Sequence, residues 1–257
     1  MAVNTDRLII TSLDQAMFFN NAGELEFIMD ELQDTTLSNA QEKVDITGRN
    51  GAKIAQLKRN KSVSITGNNG FLVGGGLAAQ TGAEVEQGTF NIRVSEVLTV
   101  NSNSATMEGD PVGSAGSEII ALYKRNTNGS MGQKFEQDAT ASGTGKFSYS
   151  EKTLTFYEND LEDGDQIVVW YDKETEAAKI VNDSKRYSKT LKGFIDITAT
   201  DNCDNEYHGQ IVIPRADFSG EFDIAMGSDA TVHAFTIDAL SDTCSGSGNL
   251  WEFYIYE

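Results

Sequence analysis

The stretch LKGFIDITATDNCDNEYHGQIVIPRADFSGEFDIAMGSDATVHAFTIDALSDTCSGSGNLWEFYIYE, residues 191–257, decides the fold class. Ile195, Ile197 and Ala199 alternate with Asp196 and Thr198, and Ile211 and Ile213 mark the next run. Phe222, Ile224 and Met226 alternate with Glu221 and Asp223. Phe235, Ile237 and Ala239 follow, and Trp251, Phe253 and Ile255 close the chain against Glu252, Tyr254 and Tyr256. A period of two puts apolar side chains on one face of a strand, so these segments read as half-buried antiparallel strands. Such strands bury that face only against another layer, which earlier segments must supply. The expected fold is all-β, two packed antiparallel sheets with one or two short helices.

Working outward, Val44 and Ile46 alternate, GRNG at Gly48 to Gly51 turns the chain, and Val63 and Ile65 alternate before Asn68-Asn69-Gly70, which reads as a hairpin or meander. Leu25, Ile28, Met29 and Leu32 have the i, i+3, i+4, i+7 spacing of a short helix, while Leu25, Phe27 and Met29 also fit a strand; the helix is the reading adopted. Thr35 to Gln41 is polar and reads as a loop. The triple glycine Gly74 to Gly76 precedes a helical turn at Leu77 to Thr81, without the spacing of a phosphate-binding loop. Phe90 to Val100 is a further strand, and Asn101 to Gly116 a long connection. Ile119 to Tyr123, Phe147 to Tyr149, Leu154 to Tyr157 and Ile167 to Tyr171 are four more strand candidates, and Thr175 to Val181 reads as a helix of one or two turns. The organisation expected is a core of residues 1–100 and 186–257 with an inserted β-rich, immunoglobulin-like lobe at 101–185.

The 257 residues carry 39 acids against 20 bases, a formal charge of -19. From Ile195 to Glu257 there are twelve acids and one base, Arg215; from Lys43 to Lys61 there are six bases and one acid, Asp45. That balance disfavours nucleic acid as a bound ligand, because tight phosphate contact needs a basic stripe. It fits either two differently charged solvated faces or attraction between oppositely charged ends of neighbouring copies. No apolar run approaches a membrane span, and no signal peptide is expected at MAVNTDRLIITSLDQ.

The residues offer no chemistry. Cys203, His208, His233 and Cys244 lack the close ligand pairs of zinc sites, and a Cys203–Cys244 disulfide is the lesser reading for a chain made in the cytoplasm. The acidic run Asn159 to Asp165 fails the calcium-loop template and reads as a hairpin with Asp163-Gly164 at its tip. No catalytic residue, cofactor or metal site is expected. Only Pro111 and Pro214 interrupt the chain, so few strand edges are blocked and the edges are open to pairing.

The strings Phe194-Ile195-Asp196-Ile197, GQIVIPRADFSGEFDI (Gly209 to Ile224), HAFTIDAL (His233 to Leu240) and LWEFYIYE, with VDITGRNG and SITGNNGFL earlier, resemble the tail-tube (major tail) proteins of tailed bacteriophages. The resemblance implies a split-barrel fold of two sheets with a flanking helix, and no enzymatic activity. It implies a virion structural protein in the tail, made in the host cytoplasm, whose copies form rings, commonly hexameric. These rings stack through a long loop or hairpin, contact other tail proteins, and enclose an acidic channel that DNA crosses without specific binding. The alternative is a capsid decoration or head protein with immunoglobulin-like domains, which the strand set at 117–172 supports. The charge asymmetry supplies stacking candidates: Lys53, Lys58, Arg59 and Lys61 in the basic hairpin, facing Asp201, Asp204, Glu206 and Asp217 in the C-terminal loops of the next ring.

Overall fold

The computed structural model describes residues 7–224, 232–243 and 246–256. It is all-β with one helix. In chain order the elements are β1 (Ile9–Phe19), β2 (Leu25–Met29), β3 (Leu32–Thr47), β4 (Lys53–Asn69), α1 (Gly74–Thr81), β5 (Val85–Thr99), β6 (Ser104–Thr106), β7 (Ile119–Arg125), β8 (Met131–Gln137), β9 (Lys146–Ser150), β10 (Thr153–Phe156), β11 (Gln166–Ile180), β12 (Thr190–Thr200), β13 (Glu206–Phe218), β14 (His233–Ala239) and β15 (Glu252–Tyr256). The chain divides into two compact units, residues 1–85 with 180–257, and residues 86–179. β5 lies in the second unit. Among the described residues no helix is long and apolar enough to cross a membrane.

The first unit holds the sheet β2-β1-β12-β13-β14-β4-β3, with β15 added to β13. Its two end strands are consecutive in the chain: only Asp30 and Glu31 separate Met29 of β2 from Leu32 of β3. Three residue steps span at most about 11 Å, so the ends of the sheet meet and the sheet curls into a half-barrel. The alternating residues read from the sequence fill it. Ile195, Ile197, Ile213, Phe235 and Ile237 share one core with Phe18, Phe27, Met29, Val63 and Ile65. The rings of Phe18, Phe27 and Phe218 stack and meet edge to face at centroid distances of 4.9 to 5.7 Å, a favoured arrangement for aromatic quadrupoles.

The helix at Leu77 to Thr81 is present and begins three residues earlier, at Gly74. Its glycines serve close approach: a Cβ on Gly75 would stand 2.6 Å from Phe27 Cβ, so only hydrogen lets the helix lie on β2. Gln80 then ties α1 to β14. Its amide donates to the Ala234 carbonyl (3.1 Å), and its oxygen meets His233 Nε2 at 2.6 Å. Because the Gln80 amide nitrogen is committed, His233 must carry its proton on Nε2, and Nδ1 stays buried without a partner. Burial in turn holds the His233 pKa below its ordinary value.

The second unit is a separate sheet, β5-β11-β7-β8-β9-β10-β6, antiparallel except for the β8–β9 pair. It wraps a core of Leu122, Phe135, Phe147, Leu154, Phe156, Ile167, Val169 and Tyr171. All four strand candidates proposed for 119–171 are strands, and β8 adds a fifth element that the sequence did not announce.

Five local expectations are overturned. Leu25 to Met29 is the strand β2 and Leu32 opens β3, with Phe27 and Met29 buried at period two against α1 and β1. Thr35 to Gln41 belongs to β3, paired along its length with β4. Thr175 to Val181 carries the end of β11, which pairs with β5 and is fastened to it by Lys179–Glu86 (2.9 Å) and Arg93–Asp172 (3.0 Å). The acidic run at 159–165 joins β10 to β11, which are not neighbours in the sheet, so it is a crossing connection and no hairpin. Ile224 forms an isolated bridge to His233 where a strand was expected; Met226 and Cys244 lie outside the described residues.

Candidate assembly site: two open strand edges and a basic arm

β12 pairs with β1 on one side and β13 on the other, and β13 carries β15 beside His208 to Val212. One face of these strands is the core. On the other, the register lines up Met17, Phe194, Val212 and Glu252 in one row, Gln15, Asp196, Gln210 and Tyr254 in the next, and Thr198, His208 and Tyr256 beyond. Asp196 is clamped at the centre: Gln15 Nε2 donates to Oδ2 (2.9 Å) and Gln210 Nε2 to Oδ1 (2.8 Å). Thr198 Oγ1 donates to Asp14 (2.8 Å) on the same face. Glu252 accepts from the Tyr254 hydroxyl and from Asn249 Nδ2 (2.6 Å), which hold its pKa below the usual carboxylate value. The face therefore presents Asp14, Asp196, Glu206 and Glu252 against one base, Lys192, which lies over the Phe194 ring.

Both borders of this four-stranded sheet are open among the described residues. β2 covers β1 only from Ala16 to Phe19, leaving Ile9 to Gln15 with β12 alone, and Ile9 and Ile10 are exposed. β15 pairs only with β13 and exposes Phe253, Tyr254 and Tyr256. Unpaired N–H and C=O groups along an apolar edge form a template for another strand.

The hairpin of β3 and β4 is the second feature. β14 pairs with β4 only from Ser64 to Asn69, so the stretch from Lys53 to Val63 with its β3 partner runs on past the sheet as an arm, closed at Gly48 to Ala52. Val63 at the root of the arm is buried, whereas Ile46, Ile54 and Leu57 farther along it are exposed. Of the basic candidates, Lys53 pairs with Asp45, and Arg59 with Glu42 (2.7 Å). Arg59 then Asn60 hold the Glu42 pKa low, and Lys53 then Gln56 that of Asp45. Lys58 stands opposite Lys43, and neither Lys58 nor Lys61 makes an ion pair among the described residues.

The acidic candidates are divided. Asp201 closes its own turn, accepting from Asn205 Nδ2 (2.9 Å) and from the amides of Asn205 (3.0 Å) and Cys203 (2.7 Å), which keep its pKa low. Asp204 (φ 60°) sits in that turn and Glu206 opens β13. Asp217 lies at the other end of β13, where Thr190 Oγ1 donates to it (2.5 Å). Following β13 to β14 to β4, each antiparallel to the last, the Asp201 turn and the arm leave the sheet at the same end, and Asp217 at the opposite one. The polar row centred on Asp196 was not singled out from the sequence, although an aspartate between Ile195 and Ile197 marks a strand face that avoids the core.

Among the described residues no group of three or more His, Cys, Asp or Glu side chains is placed to hold a metal ion. No curated relative matches the chain. The YomU/Tube protein family matches residues 8–253, which takes in both units and the β1 border and reaches the start of β15, and the chain therefore belongs to that family of phage-associated tube proteins.

Proposed function

We propose that copies of this chain join side by side through β1 and β15 into rings, six-fold on the resemblance to tail-tube proteins, and that the rings stack into the tube of a phage tail. The observation that carries this is a four-stranded sheet with two open apolar borders of opposite direction. β1, β12, β13 and β15 are successively antiparallel, so β15 of one copy laid beside β1 of the next is antiparallel too. Such a junction offers up to the five residues of β15, at about 0.5–1.5 kcal/mol net per hydrogen bond, besides burial of Phe253, Ile9 and Ile10. Closing the sheet this way puts the face away from the core on the channel. Its Asp14, Asp196, Glu206 and Glu252 repel phosphate, which supports passage of DNA without binding. The arm supplies contacts between rings.

Alternate N–H groups of a strand point to opposite sides, so of Tyr254→Pro and Ile255→Pro one removes an amide facing the neighbouring copy. The expected result is that this variant sediments as a folded monomer under conditions where the parent forms rings visible by negative stain. A parent that stays monomeric at every concentration and salt level, or that binds empty capsids in place of forming rings, would overturn the reading.

A further inference from the structure

The surface that receives the arm is also defined by the register. It lies at the opposite end of the same unit and is built around one buried pair, Asn69 and His233, which face each other across β4 and β14. Asn69 Oδ1 accepts from the Glu31 amide (3.2 Å), and its Nδ2 donates to the Phe71 carbonyl (2.8 Å). Gly70 N also donates to the Glu31 carbonyl (2.8 Å). His233 is bridged by Ile224 and met edge-on by the Phe222 ring (6.3 Å). Asp30 and Glu31, Phe71 and Leu72, and Glu221 and Asp223 are thereby gathered at one end. Phe71 and Leu72 are 60% and 56% exposed, and the four carboxylates are exposed and make no ion pair among the described residues.

The arm is the complement of this patch. Ile54 and Leu57 are 70% and 56% exposed on it, and Lys43, Arg49, Lys58 and Lys61 are bases without an ion pair among the described residues. We infer that this end, with Phe71 and Leu72 set among Asp30, Glu31, Glu221 and Asp223, is the docking surface for the arm of a second copy of this chain, an inference that rests on the stacked-ring reading. Apolar meets apolar and acid meets base, and the two patches lie at opposite ends of one unit, so each copy that receives an arm offers its own onward. Asp201, Asp204 and Glu206 share the arm's end and would meet it only if two copies stacked in opposed orientation, which ends growth after one step.

The test uses two full-length variants, Lys58→Glu with Lys61→Glu, and Glu221→Lys with Asp223→Lys, at low salt. The first neutralises the arm, where Lys43, Arg49, Lys53 and Arg59 then stand against Glu42, Asp45 and the two new acids, and keeps the acidic receiving end; the second neutralises the receiving end and keeps the basic arm. Each alone should give rings that lengthen at least tenfold more slowly than the parent by light scattering and negative stain. Mixed one to one, they should lengthen faster than either alone, because the second variant's basic arm then finds the first variant's acidic receiving end, while the other contact joins a neutral arm to a neutral end without repulsion. Asp204→Asn, at the arm's own end, should leave lengthening unchanged. Circular dichroism melting checks that every variant is folded; should the Glu221 and Asp223 pair fail it, Asp30→Lys with Glu31→Lys replaces it in the same mixture. Rings that form but are not rescued by mixing overturn the docking surface and leave ring formation standing. A parent that forms no rings overturns both.

Discussion

Two sheets in this chain are curled by the same device and put to different ends. In each, the outermost strands are consecutive in sequence, β2 and β3 in the first unit and β5 and β6 in the second, so each sheet bends round until its borders approach and a core closes inside. The second unit then uses its acids on itself. Glu96 accepts the amides of Glu108 and Gly109 (3.0 Å each) and the Tyr171 hydroxyl. Asp160 accepts from Gly145 N (2.7 Å), Asp163 from Ser102 N (2.6 Å), and Asp165 pairs with Lys124 (2.5 Å). In the first unit Asp201 likewise closes its own turn, but Asp30, Glu31, Glu221 and Asp223 stand exposed at one end and make no ion pair among the described residues. Acids stabilise turns in both units, and the first also gathers four exposed ones at one end.

Truncating the cores gives the largest expected effects and can break this comparison outright. Phe18→Ala should cost the first unit about 3–5 kcal/mol, and Leu122→Ala the second about 2–5 kcal/mol. In calorimetry each should move its own transition; if one substitution shifts both equally, the units unfold as one body and their separate treatment fails. Next is Tyr171→Phe, which removes the hydroxyl that Glu96 accepts in the second unit. We expect a loss of about 1–3 kcal/mol by urea unfolding, with the first unit untouched.

Acid should distinguish the units by a smaller amount. The chain has two histidines, both in the first unit, and His233 is 1% exposed. Its pKa is depressed in the folded state, so the unfolded chain binds the proton more readily. Stability is fully present above the ordinary value of about 6.5 and falls as pH drops below it, by at most about 1.4 kcal/mol per pH unit. His233→Phe should flatten that slope between pH 7 and 5. The second unit has no histidine and should hold until its depressed carboxylates titrate below about pH 4; among these is Asp138, held low by the Ser142 hydroxyl and the Thr140 amide. A parallel acid loss in both units over pH 7 to 5 would contradict the assignment. Smallest is Lys124→Met, which breaks the partly exposed pair with Asp165 and should cost about 0.5–1 kcal/mol, read as a slight drop in the second transition only.

The sequence was legible where a strand has one wet face and one dry one. Ile195, Ile197 and Ala199, or Phe235 and Ile237, announce themselves because every second residue enters the core. It was opaque where both faces are wet. Thr35 to Gln41, where β3 passes from the sheet onto the arm, and Thr175 to Val181 on the β5–β11 ribbon are polar enough that local composition points to loop or helix until a distant strand claims the backbone. Leu25 to Leu32 failed for another reason: Leu25, Ile28, Met29 and Leu32 fit the helical period while Leu25, Phe27 and Met29 fit that of a strand, and pairing with β1 together with the close approach of α1 selects the strand. Of the assembly site, the basic hairpin was visible as a charge run. Which acids stand at which end was not, because that depends on strand direction through three successive pairings.

The four strands between the open borders carry one more consequence. Four is even, and each strand reverses the last, so in the proposed ring a copy hands on the same direction it received, and a ring of any size closes without a seam where two strands run parallel. Without β15 the repeat would be three strands, and β13 would meet the next β1 head alongside head at every junction. Five residues near the end of the chain thus set the parity of the whole circle. The number of copies in it is left to the twist and bend of the sheet.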